Sequence, residues 1–246
     1  MSLRRVRSVE VIDRSLPAHA PLFDEMRDRL RAEHGVTKAR YFHAVPTATG
    51  GGRLEISASP LLRPLAEDYV SNRRHELDFT LLPKMRRPEP TRWVDQPRDE
   101  ECPPSILPRR AEWRAWARKV MGEGWEHGFD VPVFGPGGRR GLFKIHAPLE
   151  QPLGRAYMRG VQSVVQDFHL AYCAVRLAAA PRVRLAPEEQ EALTGAAAGL
   201  NADTIGYESG IKRRTVEDRL GRAREQLGCR TTTGAVAKAV TLGLIL

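Results

Sequence analysis

Apolar residues recur along the chain with two periods, and the places where the period switches mark out its elements. Leu22, Phe23, Met26 and Leu30 have helical spacing, which predicts an amphipathic helix over 17–34 stopped by Gly35. From Val36 to Val45 the pattern loosens into alternation among β-formers. Thr47–Gly52 is turn-like and Leu54–Ser57 returns as a second strand, so a hairpin is expected there. A helix is expected over 61–75, followed by a mostly irregular stretch, Pro83–Pro97, that holds four prolines. Another helix, 108–122, carries Trp113, Trp116, Val120 and Met121. Two strands, Phe129–Phe134 and Gly141–Ala147, flank a turn at Gly137 and Gly138. A long helix over 152–177 aligns Val161, Val164, Val165, Phe168, Tyr172 and Val175 along one side. Ala178–Arg184 then reads as a linker.

Beyond it the period is helical throughout. A helix opens at Leu185-Ala-Pro-Glu-Glu189, with Pro187 in the first turn and acids at the positive end of the helix dipole. A short helix over 202–208 has Ile205 as its inward residue, and Gly210 supplies the positive φ that a sharp helix-to-helix turn needs. The next helix starts near Arg213, and Val216, Leu220, Ala223 and Leu227 line one face of it before the C-cap at Gly228. Its other faces carry Arg213, Arg214, Arg219, Arg222 and Arg224 against Glu217, Asp218 and Glu225. A helix apolar on one side and Arg-rich on the other suits a DNA major groove, and a solvated basic face is the plainer alternative. A last helix around Val236 and Val240 completes a four-helix unit.

Composition changes this picture in two places. The net charge of +9 invites an anionic partner. Nine Lys and Arg against eight Asp and Glu from Val183 to Leu246 leave only +1 there, so +8 lies in the first 182 residues. The local Arg cluster, and not the overall charge, therefore supports DNA binding. Cys102, Cys173 and Cys229 are odd in number and contain no CxxC pair. That pattern fits a reducing cytoplasm and argues against a disulfide framework or zinc site. No apolar run approaches the ~18 residues of a membrane span, and the basic N-terminus lacks the apolar segment of a signal peptide.

Enzymatic motifs are missing. The glycines near 137 lack a following GK[ST] and open no helix, so they are no phosphate loop. There is no GxSxG and no HExxH, and the histidines are scattered. No catalytic, metal or cofactor residue is assigned. The early acidic pair of a phosphorylated receiver domain is absent too.

The C-terminal segment resembles the DNA-binding domain of LuxR-type transcriptional regulators. The matches include Leu185, Pro187, Glu189, Leu193, Gly199, Ile205, Gly210, Ile211, Thr215, Val216, Leu220, Leu227, Gly228, Gly243 and Leu244. Gly206, Ser209 and Lys212 depart from the pattern, with Lys212 standing where a Ser usually caps the second helix. The segment before it is similar to the ligand-binding domain of the quorum-sensing branch of that family. Tyr69, Asp78 and Trp93 have the spacing of its pocket residues, and Gly124, Gly128 and Pro132 match the approach to its central strands. The resemblance implies an α+β protein with an α/β/α sandwich around an antiparallel sheet, plus an all-α helix-turn-helix domain. It also implies domains at 1–177 and 185–246 joined by a linker at 178–184.

The function implied is that of a cytoplasmic, ligand-responsive, homodimeric regulator binding a palindromic promoter site and sensing an acyl-homoserine lactone or variant. The alternative is an orphan regulator whose first domain only dimerises or contacts protein. By the resemblance, Asp78 accepts the ligand amide N–H and Trp93 lines the lactone end. Leu65 stands near the usual indole donor, Phe79 replaces the Pro after the Asp, and Lys144 replaces a pocket-facing Ser or Thr. These departures point away from a plain straight-chain lactone. Lys144 is expected either to meet Asp78 or a ligand acid, or to reach out to solvent. Lys212, Arg213, Arg214, Thr215, Glu217, Asp218, Arg219 and Arg222 are the expected DNA-facing residues, with Glu217 suited to a cytosine amino group. The apolar stripe of the 152–177 helix, with Val236 and Val240, is expected to help dimerisation.

Overall fold

The computed structural model describes residues 6–11, 19–46, 52–95, 104, 106–121, 125–178 and 183–245. Most of the turn at 47–52 and of the linker at 178–184 lies outside the described residues, as do Cys102 and Gly124. The chain divides into two compact units, one drawn from residues 1–175 and one containing Arg176–Leu246.

The first unit is built on a six-stranded sheet. Its strands are β1 (Val6–Val11), β2 (Lys38–Pro46), β3 (Gly52–Ala58), β4 (Thr91–Arg92), β5 (Gly128–Phe134) and β6 (Arg140–His146), in the order β1-β3-β2-β6-β5-β4. The pairs β2–β6, β6–β5 and β5–β4 are antiparallel. β1 runs parallel to β3, so this edge departs from the antiparallel sheet expected. The register shifts between Val6 and Ser8, which breaks the period of two that would have marked β1 in the sequence.

Strand alternation sends Tyr41, Phe143 and Val131 to one face of the sheet and Phe42 and Leu142 to the other. The first face is covered by α1 (His19–His34) and α5 (Arg155–Ala178). The second is covered by α2 (Arg63–Ser71), the single turn α3 (Leu81–Lys84) and α4 (Arg110–Met121). α1 buries Phe23, Met26 and Leu30, as their spacing requires. Val161, Val164, Val165, Phe168 and Tyr172 of α5 are buried in the same core. That stripe is therefore filled by the unit's own sheet and is not left for a second copy, which corrects its expected part in dimerisation.

Buried histidines on this face are tied into its polar groups. His43 Nδ1 lies 3.0 Å from Glu55 Oε2, to which Tyr172 Oη donates at 2.6 Å, and Tyr41 Oη lies 2.6 Å from His169 Nδ1. These hydrogen bonds offset part of the cost of burying the groups that make them.

The second unit consists of α6 (Pro187–Ala197), α7 (Ala202–Glu208), α8 (Arg213–Gln226) and α9 (Thr232–Thr241). One cluster joins Leu185, Leu193, Ala223, Leu227, Ala235 and Ala239, and a second joins Ala192, Ile205 and Val216, with partly buried Leu220 packed against both. Val236 packs on the first cluster, while Val240 stays exposed. α8 ends in a Schellman turn at Gly228 (φ 61°), where Gly228 N donates to Glu225 O and Cys229 N to Arg224 O.

Candidate functional site

The α2–α4 side of the sheet carries an unusual set of charges. Antiparallel register puts Arg40 of β2 opposite Lys144 of β6, and Lys144 opposite Asp130 of β5, all pointing to one face. Asp130 is the hub. It accepts from Lys84 Nζ at 2.5 Å and from Trp93 Nε1 at 3.0 Å, and Lys144 Nζ lies 3.6 Å away. Burial alone would raise the Asp130 pKa, but Lys144, Lys84 and the hydrogen bonds outweigh it and hold the carboxyl below its ordinary value. Burial lowers Lys84 despite that partner. Trp93 can lie flat against β5 only because residue 128 is Gly, since a Cβ there would sit 1.9 Å from its ring.

A second group adjoins it. Arg73, at φ 49°, turns the chain after α2 and leads into Asp78, a buried residue. Thr80 Oγ1 donates to Asp78 Oδ1 at 2.8 Å, and Tyr69 Oη to Oδ2 at 3.4 Å. Tyr69 lies in the apolar cluster with Phe42, Leu62, Ala66, Trp116 and Leu142, where Leu65 packs part-buried. Tyr69 and Asp78 thus meet directly. Trp93 and Lys144 meet each other through Asp130, and the expected acceptor for Lys144, Asp78, is replaced by it.

Sequence reasoning missed Asp130, Arg40, Lys84 and Trp116. For the strand residues the usable signal was a lone charge between apolar neighbours, as in Ala39-Arg40-Tyr41 and Phe129-Asp130-Val131. Which of them faced one another depended on strand order.

The second unit sorts the expected DNA-facing residues into two groups. Lys212, Arg214, Thr215 and Asp218 are exposed at the start of α8. Arg213 is engaged, with Nε 2.7 Å from Glu217 Oε1 and Nη1 3.2 Å from Asp203 Oδ2, so Glu217 is held by a neighbour on its own helix. Arg219 lies 3.6 Å from Glu191, and Arg222 donates to the buried Glu189 at 3.3 Å. Glu189 also accepts from Ala186 N at 2.9 Å, so Arg222 helps to fix the start of α6. Lys212 is the N-cap of α8 and makes no side-chain capping bond. Gly206, a departure from the resemblance, has a structural reason: a Cβ there would meet Ile211 O at 2.7 Å, so α7 and the turn close more tightly than Ala would permit.

No family model matches the chain. A curated relative, the HTH-type quorum sensing-dependent transcriptional regulator RpaR of Rhodopseudomonas palustris, is 28% identical over 97% of this chain and 95% of its own length. Among solved structures, Escherichia coli SdiA superposes with a TM-score of 0.67 at 16% identity, covering 96% of this chain and 95% of that one. SdiA in complex with octanoyl-rac-glycerol gives 0.68 at 14% identity, covering 93% and 90%. At those identities the two SdiA structures establish the fold.

Proposed function

We propose, from a chain that is LuxR-type in sequence likeness and in fold, that it is a ligand-responsive, DNA-binding transcriptional regulator. In this reading the chain works as a homodimer in the cytoplasm. A ligand-binding domain spans 1–177, a linker 178–184 and a DNA-binding domain 185–246. The observation that carries it is the reach of the RpaR likeness, which runs through both units, so sensor and reader occur together as in one regulator. The second unit supports it with a helix-turn-helix whose second helix begins in exposed basic residues. The first supports it with buried polar groups beside an aromatic-walled face, the chemistry of a small-molecule site. No enzymatic role is assigned.

In this reading Lys212, Arg214 and Thr215 meet DNA first, a view supported by their exposure at the start of α8, while Arg219 and Arg222 also pair with Glu191 and Glu189. Footprinting of the full-length protein across genomic fragments should reveal a palindromic site. Arg214→Ala should weaken binding about tenfold or more, and Arg219→Ala less. Equal binding of random DNA by wild type and Arg214→Ala would sink the assignment of α8 as reader. A first unit that binds no small molecule, beside intact DNA binding, would favour the orphan regulator instead.

A further inference from the structure

The buried face beside Tyr69 has more cationic donors than acceptors. Arg40, Lys84 and Lys144 are 1%, 5% and 8% exposed, and the carboxylates near them, Asp78 and Asp130, are 2% and 1% exposed. Among the described residues this leaves three buried cations on two buried anions. Asp130 is occupied by Lys84, Lys144 and Trp93, and Asp78 by Thr80 and Tyr69. Among the described residues Arg40 Nε and Nη2 have no hydrogen-bond partner, and neither has Trp116 Nε1, whose ring lies 5.6 Å from that of Tyr69. A guanidinium held dry with unmet N–H groups is costly, so its retention at the centre of the sheet needs a reason.

The two nitrogens left over on Arg40 supply it. Nε–H and Nη2–H form one edge of the guanidinium, and their parallel directions match the two oxygens of a carboxylate. We infer that the ligand of this unit carries a carboxylate, received side-on by Arg40, on an apolar body that lies against Phe42, Tyr69 and Trp116. This inference rests on the reading of the unit as a ligand-binding domain. One negative charge would balance the cluster. Burial pulls Arg40 down to about 10, with Asp78, Tyr69 and Asp130 opposing, so it still carries its charge at neutral pH. His146 is pushed down to about 4 by burial and by the charges of Arg40, Lys38 and Lys144, which marks the same positive field. A neutral lactone would leave that field unbalanced.

The test uses full-length protein and ligand pairs that differ mainly in charge. These are N-octanoyl-homoserine against its lactone, octanoate against methyl octanoate, and cinnamate against methyl cinnamate. Thermal shift and calorimetry should find at least one acid bound tenfold or more tightly than its neutral counterpart, and which acid it is separates a straight-chain from an aromatic body. Arg40→Gln should cost that acid roughly tenfold to a hundredfold and so narrow or abolish its advantage over the neutral counterpart. Arg40→Lys, which keeps the charge without the fork, should recover only part of the loss. Neutral partners that bind as well as the acids overturn the inference, as does an acid preference that survives in Arg40→Gln. If that variant does not fold, the wild-type acid-against-ester comparison decides alone. Neutral binding without acid binding overturns the carboxylate and leaves the ligand-binding reading standing, whereas silence from every probe removes both.

Discussion

In the first unit Asp130, Lys84 and Lys144 come from three different elements and are buried together. In the second, Arg213 meets Asp203 and Glu217 on the surface, one of them a turn away on its own helix. Both arrangements are ion pairs, yet they act differently. A pair in water gains little because solvent already screens it. A buried pair sits in a medium that screens poorly, where each charge depends on the other to remain charged at all. The surface pairs of the second unit can therefore open at little cost, while Asp130, Lys84 and Lys144 in the first hold one another in place.

Removing the hub of the buried set should have the largest effect. Asp130→Ala leaves Lys84 and Lys144 buried without a counter-charge, and a loss of about 3–5 kcal/mol is expected. The matching surface change, Glu217→Ala, should cost about 0–0.5 kcal/mol. Urea denaturation of both variants followed by tryptophan fluorescence and by circular dichroism would check this, and similar losses in the two would break the comparison.

Acid comes next. Burial, reinforced by neighbouring positive charge, pulls His169 down to about 3 and His146 to about 4. Both are neutral in the fold, and the unfolded chain takes up their protons first. The stability they carry is complete above the ordinary histidine value and is lost as pH falls from about 6.5 toward 4. A depression like that of His146 corresponds to roughly 3 kcal/mol. Asp130, held below its ordinary value, adds a further loss at lower pH. All four tryptophans lie in the first 182 residues, so their fluorescence reports on that region. Its melting temperature should drop between pH 7 and pH 4 by more than that of the helical second unit. A parallel decline of both would mean that buried histidine is not what distinguishes them.

The smallest effect belongs to the second unit and is a gain. Lys212 stands at the N-cap of α8 without a capping bond, whereas Asn201 caps α7 by accepting from Thr204 N at 2.9 Å. Lys212→Ser should stabilise the unit by about 0.5–1 kcal/mol and weaken DNA binding through the lost positive charge. Thermal melts beside salt-dependent binding would read the two outcomes separately, and a variant less stable than wild type would contradict the capping argument.

The helices of the second unit were legible in the sequence because each depends on neighbours within a few residues. Ile205, Val216, Ala223 and Leu227 announce their inward face by spacing, and Gly210 and Gly228 announce their turns by needing positive φ. The same locality gave α1 and α5 of the first unit and the β5–β6 hairpin. What spacing could not supply was strand order. Only the placement of β2 beside β6 and β6 beside β5 brings Arg40, Lys144 and Asp130 into one row, from positions more than a hundred residues apart in the case of Arg40 and Lys144. Tyr69 and Asp78, nine residues apart, could be paired from spacing and resemblance. The partner of Lys144 could not, because a charge on a strand identifies its face and not its neighbour across the sheet.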